Sequence, residues 1–144
     1  MKAKIKKLKE NAIVPTKGSK EAAGYDLYAC CDEPVFVMPY KTEKISTGLA
    51  IQPPKGYFGA IFARSGLATK SGLRPANCVG VCDEDYTGEY VVVLHNDSSS
   101  IRTVNPGDRI AQLVFLPYMD VDFCEVNKLE NTERGSSGFG SMGR

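Results

Sequence analysis

Apolar and polar residues alternate along most of this chain, in short runs cut by glycine, proline, asparagine and aspartate. The alternation predicts strands at 5–8, 25–29, 35–38, 44–51, 57–63, 79–82, 89–95, 101–104, 109–117 and 121–126. Turns are predicted at Glu33-Pro34, at Pro53-Pro54-Lys55-Gly56, at Asn96-Asp97 with the serines that follow, and at Asn105-Pro106-Gly107-Asp108. The runs 79–82 and 89–94 read as the two arms of a hairpin. Helical periodicity is nearly absent. The amphipathic look of KIKKLKE competes for a helix, but the turn at Pro15 to Gly18 favours a strand before it. One short helix is predicted, with Ser65 capping a turn through 66–70. Short strands at this spacing predict an all-β sandwich, barrel or jelly roll.

Composition adjusts this picture in a few places. A chain of 144 residues, 42% hydrophobic and 24% charged, suits one domain with a real core. The segment 127–144 differs: ERGSSGFGSMGR cannot build a core and reads as a flexible arm, leaving 1–126 as the folded domain. A formal net charge of +1 argues against direct nucleic-acid binding through a broad basic field, though a small anion needs only a few donors. No apolar run suits a bilayer and no signal-peptide core follows the basic N-terminus, so a cytoplasmic protein without membrane contact is expected. The five cysteines lack a disulfide-framework spacing, and Cys78 with Cys82 lacks a second zinc-binding pair; reduced, buried thiols are expected. His95, the single histidine, reads as a half-buried strand residue.

Three clusters carry candidate chemistry. Arg64-Ser65-Gly66 places a guanidinium fork, a hydroxyl and free N–H groups at the start of the predicted helix, an arrangement suited to anionic oxygens. Asp83-Glu84-Asp85-Tyr86 follows an apolar arm directly, where a carboxylate held at a pocket rim accepts a proton from water. Of these acids Asp83 is the expected base, Asp85 shapes the turn and Glu84 is exposed. Arg109 and Gln112 set polar groups among Ile110, Leu113 and Val114, which a buried strand tolerates only when they have partners. Gly138, Gly140 and Gly143 match the dinucleotide-binding glycine spacing, but the chain ends where the required helix would stand.

Together and in order, these pieces resemble the homotrimeric dUTP pyrophosphatases (dUTPases). That family's five motifs have counterparts in Ala22-Ala23-Gly24-Tyr25-Asp26-Leu27-Tyr28, in Arg64-Ser65-Gly66-Leu67-Ala68, and in residues 80–89, 107–113 and 134–143. The resemblance implies a distorted jelly-roll-like β-barrel or sandwich of the β-clip type, with one short helix and a flexible C-terminal arm. It implies a homotrimer whose interfaces form the sites, the arm closing over them. It implies hydrolysis of dUTP to dUMP and pyrophosphate with Mg²⁺, bound mainly by the triphosphate and water.

The resemblance also implies roles. Asp83 activates the water, Tyr86 packs on the deoxyribose, and Asn77 reads uracil with the backbone of Val81, Cys82 and Asp83. Val91 adds a backbone contact. Arg64, Ser65 and Gly66 cradle phosphate from a neighbouring subunit, Gln112 lies near the α-phosphate, and Asp26 touches the metal through water. In the arm, Arg134 meets the γ-phosphate, Phe139 stacks on uracil, and Gly140 with Ser141 donates to phosphate.

Thr87, Cys82, Ser137 and Met142 depart from the family's common residues without removing a catalytic group. The related dCTP deaminases share the fold, but resemble Arg-Ser-Ser where this chain has Arg64-Ser65-Gly66. A binding or regulatory protein on the same scaffold has no need of Asp83.

Overall fold

In the computed structural model, which describes residues 1–139, twelve strands and one helix form the chain. They are β1 (Lys4–Lys7), β2 (Thr16–Lys17), β3 (Tyr25–Tyr28), β4 (Val35–Val37), β5 (Thr42–Ile45), β6 (Leu49–Gln52), β7 (Tyr57–Phe62), α1 (Ser65–Ser71), β8 (Leu73–Pro75), β9 (Val79–Cys82), β10 (Val92–Asn96), β11 (Arg102–Val104) and β12 (Arg109–Pro117). All pairings are antiparallel. The largest sheet has the order β2-β3-β12-β7-β9, a second has β5-β10-β8, and β1-β6 and β11-β4 form two-stranded ribbons. This is the expected all-β class, built of sandwich-like sheets with one short helix and no closed barrel among the described residues. No helix there is long and apolar enough to cross a membrane.

Alternation places the core. Along β10, Val92, Leu94 and Asn96 point inward while Val93 and His95 are half-exposed. With Leu27, Val37, Ile45, Leu49, Ile110 and Leu113 these positions close a core whose largest fully buried side chain is Tyr90. The one break in alternation on β12 is a bulge between Arg109 and Ala111, which lets Ile110 and Ala111 both turn inward. Residues three apart on a regular strand face opposite sides. The bulge instead brings Arg109 and Gln112 to one face.

Several expectations are corrected. The run 44–51 is broken at Ser46 to Gly48, where Thr47 is buried and its hydroxyl donates to the Tyr90 carbonyl at 2.6 Å. The arms of the expected hairpin do not form a ladder with each other: β9 pairs with β7, and β10 with β5 and β8. Residues 121–126 alternate like a strand but have no sheet to join here, and Phe123 is 98% exposed. Ser65 is the first residue of α1 rather than its cap; Arg64 holds that position in an extended conformation with no side-chain cap. The short β2 and β8 escaped prediction.

Asn96 ties three segments together. Its buried amide donates to Val37 O at 2.9 Å and Ser100 O at 2.8 Å, while its oxygen accepts from Ser98 N and Oγ at 2.9 and 2.7 Å. Truncation leaves buried carbonyls unsatisfied, so Asn96→Ala is expected to lose about 2–4 kcal/mol. Urea unfolding at fixed protein concentration measures this, and a loss below about 0.5 kcal/mol would contradict the role.

Candidate active site

Two clefts gather several of the expected residues. The first, about 610 Å³, opens between the first turn of α1 and the face of β12 and β3. Asp26, Arg64, Ser65, Gly66, Arg109 and Gln112 all line it. Asp26, 13% exposed, is its organising group: Oδ1 accepts from Arg64 Nε at 2.9 Å, and Oδ2 lies 3.4 Å from Arg109 Nη1. Gln112 pairs in register with Asp26 and donates from Nε2 to Ala63 O at 2.9 Å, the partner that its strand position required. Arg64, Arg109 and Lys70 outnumber the single carboxylate, leaving a surplus of positive charge. With the exposed Ser65 hydroxyl, the cleft is built to take an anion.

The second cleft, about 620 Å³, is lined by Gln52, Phe58, Val81, Asp83, Glu84, Asp85 and Tyr118. Its charged groups are all acidic. It lies against β9, the edge strand of the large sheet, whose far side has no ladder partner among the described residues. An unpaired edge presents backbone donors and acceptors in a row. Asn77 stands at the entry to that edge, its amide lying against Gly80. Its carbonyl accepts from Val79 N–H across Cys78, whose φ of +56° is a strained conformation for a residue with a side chain.

The three acids behave differently. Glu84, expected to be exposed, is half-buried and engaged: it accepts from Gly56 N–H at 2.6 Å and the Tyr118 hydroxyl at 2.8 Å. The Gly56 donation and then the Tyr118 hydroxyl hold its carboxyl below the ordinary value of 4.5. Asp83 and Asp85 are exposed, and no side-chain bond engages the Asp83 carboxylate among the described residues. Burial, partly offset by the neighbouring Tyr90 hydroxyl, pushes the Cys82 thiol up to about 11, and the side chain packs against the core. All five cysteines are unpaired; Cys30 is buried as expected, whereas Cys78 and Cys124 are exposed. His95 is half-buried on β10, with Nδ1 2.9 Å from Thr42 Oγ1.

Tyr86 folds back so that its hydroxyl donates to Glu89 O at 3.0 Å, with its ring 6.2 Å from that of Tyr90. Val91 is exposed just before β10. Arg134 is exposed and donates to Ser137 O at 3.0 Å, and Phe139 is fully exposed; neither lines the two clefts. Gly140 and Ser141 lie outside the described residues. Within one chain the structure thus gathers Asp26, Arg64, Ser65, Gly66 and Gln112 in one cleft. Val81 and Asp83 line the other. Arg109 was legible only as a polar residue needing a partner, and Lys70 carried no signal beyond its charge.

The dUTPase family model matches residues 10–143. The chain is 43% identical to the deoxyuridine 5'-triphosphate nucleotidohydrolase of Hydrogenobaculum sp., over 99% of both chains. It is 44% identical to that of Nautilia profundicola over the full length of each. The chain belongs to the dUTPase family. It is therefore an enzyme, a nucleoside-triphosphate pyrophosphohydrolase of the dUTP diphosphatase class. The fold agrees with the dUTPase of Staphylococcus bacteriophage 80alpha bound to dUPNHPP, at a TM-score of 0.85 and 29% identity over 99% of each chain. A dUTPase from phage phi11 of S. aureus, whose structure details the coordination of a structural Mg(II) ion, aligns at a TM-score of 0.78 and 27% identity, covering 91% of this chain and 100% of that one.

The lowered Glu84 value makes its contribution pH-dependent in a defined direction. A depressed folded value means that the stabilisation is fully present above 4.5 and is lost as pH falls through the folded value. Glu84→Ala is expected to lower the melting temperature of this dUTPase at pH 7, and the gap to the parent should close on acidification below 4.5. A gap that stays constant down to pH 3 would contradict the role given to Glu84.

Proposed function

We propose that this dUTPase hydrolyses dUTP to dUMP and pyrophosphate by attack of water on the α-phosphorus, with Asp83 as the base. The observation that carries this reading is the Asp83 carboxylate, exposed and unengaged at the end of an unpaired strand edge. Its neighbour Glu84 is committed to structure, which leaves Asp83 free to take the proton as water attacks. The P–O bond to the β-phosphate then breaks and pyrophosphate leaves.

Uracil is read by the β9 edge. The backbone of Val81, Cys82 and Asp83, with the Asn77 amide and the Val91 backbone, matches its acceptor–donor–acceptor side. Cytosine presents a mismatched donor, and each unpaired polar group in a dry pocket costs about 1–3 kcal/mol. Tyr86 packs against the deoxyribose and leaves no room for a 2′-hydroxyl.

The acidic second cleft repels a triphosphate, while the first cleft, with Arg64, Arg109 and Lys70, attracts one. This separation favours a homotrimer in which Arg64, Ser65, Gly66 and Gln112 of one subunit hold phosphates of a nucleotide read by another. Residues 1–126 form the folded domain of that subunit, and residues 127–144 close over the site as an arm. In the arm Arg134 meets the γ-phosphate, Phe139 stacks on uracil, and Gly140 and Ser141 donate to phosphate. No group of three or more protein metal ligands is present among the described residues. That fits an ion carried in by the triphosphate, with Asp26 facing its water shell. When bound, Mg²⁺ supplies charge neutralisation on the phosphoryl oxygens. The reaction lowers dUTP available for incorporation into DNA and supplies dUMP for thymidylate synthesis.

Asp83→Asn is expected to bind dUTP within a few-fold of the parent, while pyrophosphate release falls by about a hundred- to ten-thousandfold. Calorimetric binding and a pyrophosphate assay in the presence of Mg²⁺ check both. A variant that retains a tenth or more of the parent rate would remove Asp83 from the role of base.

A further inference from the structure

Glu89 ends the acidic segment between β9 and β10 and contributes nothing to either cleft's lining, yet it is the most heavily anchored residue of the segment. Its carboxylate Oε1 accepts from Ser46 Oγ and from Gly48 N–H, the latter at 2.7 Å. Its backbone forms a bridge with Ala50, and the next residue, Tyr90, donates from N to Leu49 O at 2.8 Å. The Glu89 carbonyl is then the acceptor for the Tyr86 hydroxyl at 3.0 Å.

The anchor itself is rigid. Gly48 has φ +66°, and a Cβ there would stand 2.8 Å from Cys30 Sγ and 2.9 Å from Ala12 Cβ, so the turn is set by close packing against the core. Thr47 is fully buried and bonded to Tyr90 O. From the other side, Tyr86 lies so closely over Gly88 that a Cβ there would stand 2.4 Å from the tyrosine hydroxyl. Tyr86 is itself 44% exposed, its ring lying over Gly88 and beside Tyr90.

We infer that Glu89 is a positioning residue for sugar selection: it carries the rigidity of the Ser46–Gly48 turn to the Tyr86 ring through its own carbonyl. This rests on the reading of Tyr86 as the residue that excludes a 2′-hydroxyl. A ring free to tilt admits the extra oxygen of a ribonucleotide, whereas base selection, set by the β9 edge, stays intact. Glu89 touches neither sugar nor phosphate in this account; it acts only on where Tyr86 stands.

The test compares kcat/KM for dUTP, UTP and dCTP in Glu89→Ala, Glu89→Gln, Ser46→Ala and Tyr86→Ala, with circular dichroism and melting curves confirming the fold. Glu89→Ala is expected to lower the dUTP-to-UTP preference about tenfold or more with the dUTP-to-dCTP preference unchanged. Glu89→Gln keeps an acceptor for both donors and should restore most of the preference. Ser46→Ala keeps the Gly48 N–H donor and should show a smaller loss in the same direction, which serves if Glu89→Ala does not fold. If Tyr86→Ala lowers the preference while Glu89→Ala and Ser46→Ala leave it unchanged, the inference about Glu89 is overturned and the reading of Tyr86 stands. If Tyr86→Ala itself leaves the preference unchanged, the reading of Tyr86 falls, and the inference with it. Equal losses of sugar and base preference in Glu89→Ala would show a merely structural role and also overturn the inference.

Discussion

Everything distinctive about the site depends on the chain leaving one sheet at Cys82 and entering another at Val92. A tight hairpin would satisfy the backbone groups of β9 on both sides. Here β9 is paired with β7, and its second edge has no ladder partner among the described residues. Such an edge is normally a liability that proteins cover or blunt. This one is held open by two glutamates acting from opposite ends of the linking segment. Glu84 fastens its start to Gly56 and Tyr118, and Glu89 fastens its end to Ser46 and Gly48. Asp83 stands just before the first of these fixed points, with no side-chain bond to its carboxylate among the described residues, and Tyr86 stands between the two.

Charge is partitioned as sharply as hydrogen bonding. Asp26 gathers Arg64 and Arg109 on the outer face of β12, and the bulge after Arg109 puts Gln112 on that same face. The carboxylate keeps two guanidinium groups from repelling one another while leaving a positive surplus for an incoming anion. The charged residues that line the second cleft are all acids, with Lys55 nearby acting on Glu84. On the proposed reading each cleft takes half of what a nucleoside triphosphate presents, a base edge or a chain of phosphates. This is the physical reason to expect copies of the chain to combine.

Much of this was legible in the sequence, and the misses have definite causes. Alternation located most strands and the core, because burial on one face of a strand is written residue by residue. It did not tell which strand pairs with which: Val79–Cys82 and Val92–Asn96 look like hairpin arms, and only the tertiary packing of Tyr90 and Thr47 sends them to different sheets. The run containing Ser46, Thr47 and Gly48 read as continuous because the buried threonine that breaks it is itself a good strand former. Residues 121–126 have a strand's alternation but no ladder partner among the described residues. The motifs around Asp26, Arg64, Asp83 and Gln112 identified the family, and the structure brings Asp26, Arg64 and Gln112 into one cleft. The engagement of Glu84 by Gly56 and Tyr118 was hidden, since adjacent acids in a turn differ only in what the fold brings to them.

The claim that one subunit reads the base while another holds the phosphates is tested most directly by complementation between two inactive variants. Asp83→Asn retains a sound phosphate cleft, and Arg64→Ala retains a sound base edge and base. Mixed as separate homo-oligomers after unfolding and joint refolding, they are expected to regain pyrophosphate release from dUTP, because some mixed interfaces combine an intact Asp83 with an intact Arg64. If hybrid oligomers form and the mixture stays as inactive as either variant alone, the two halves of the site belong to the same chain and the account is wrong.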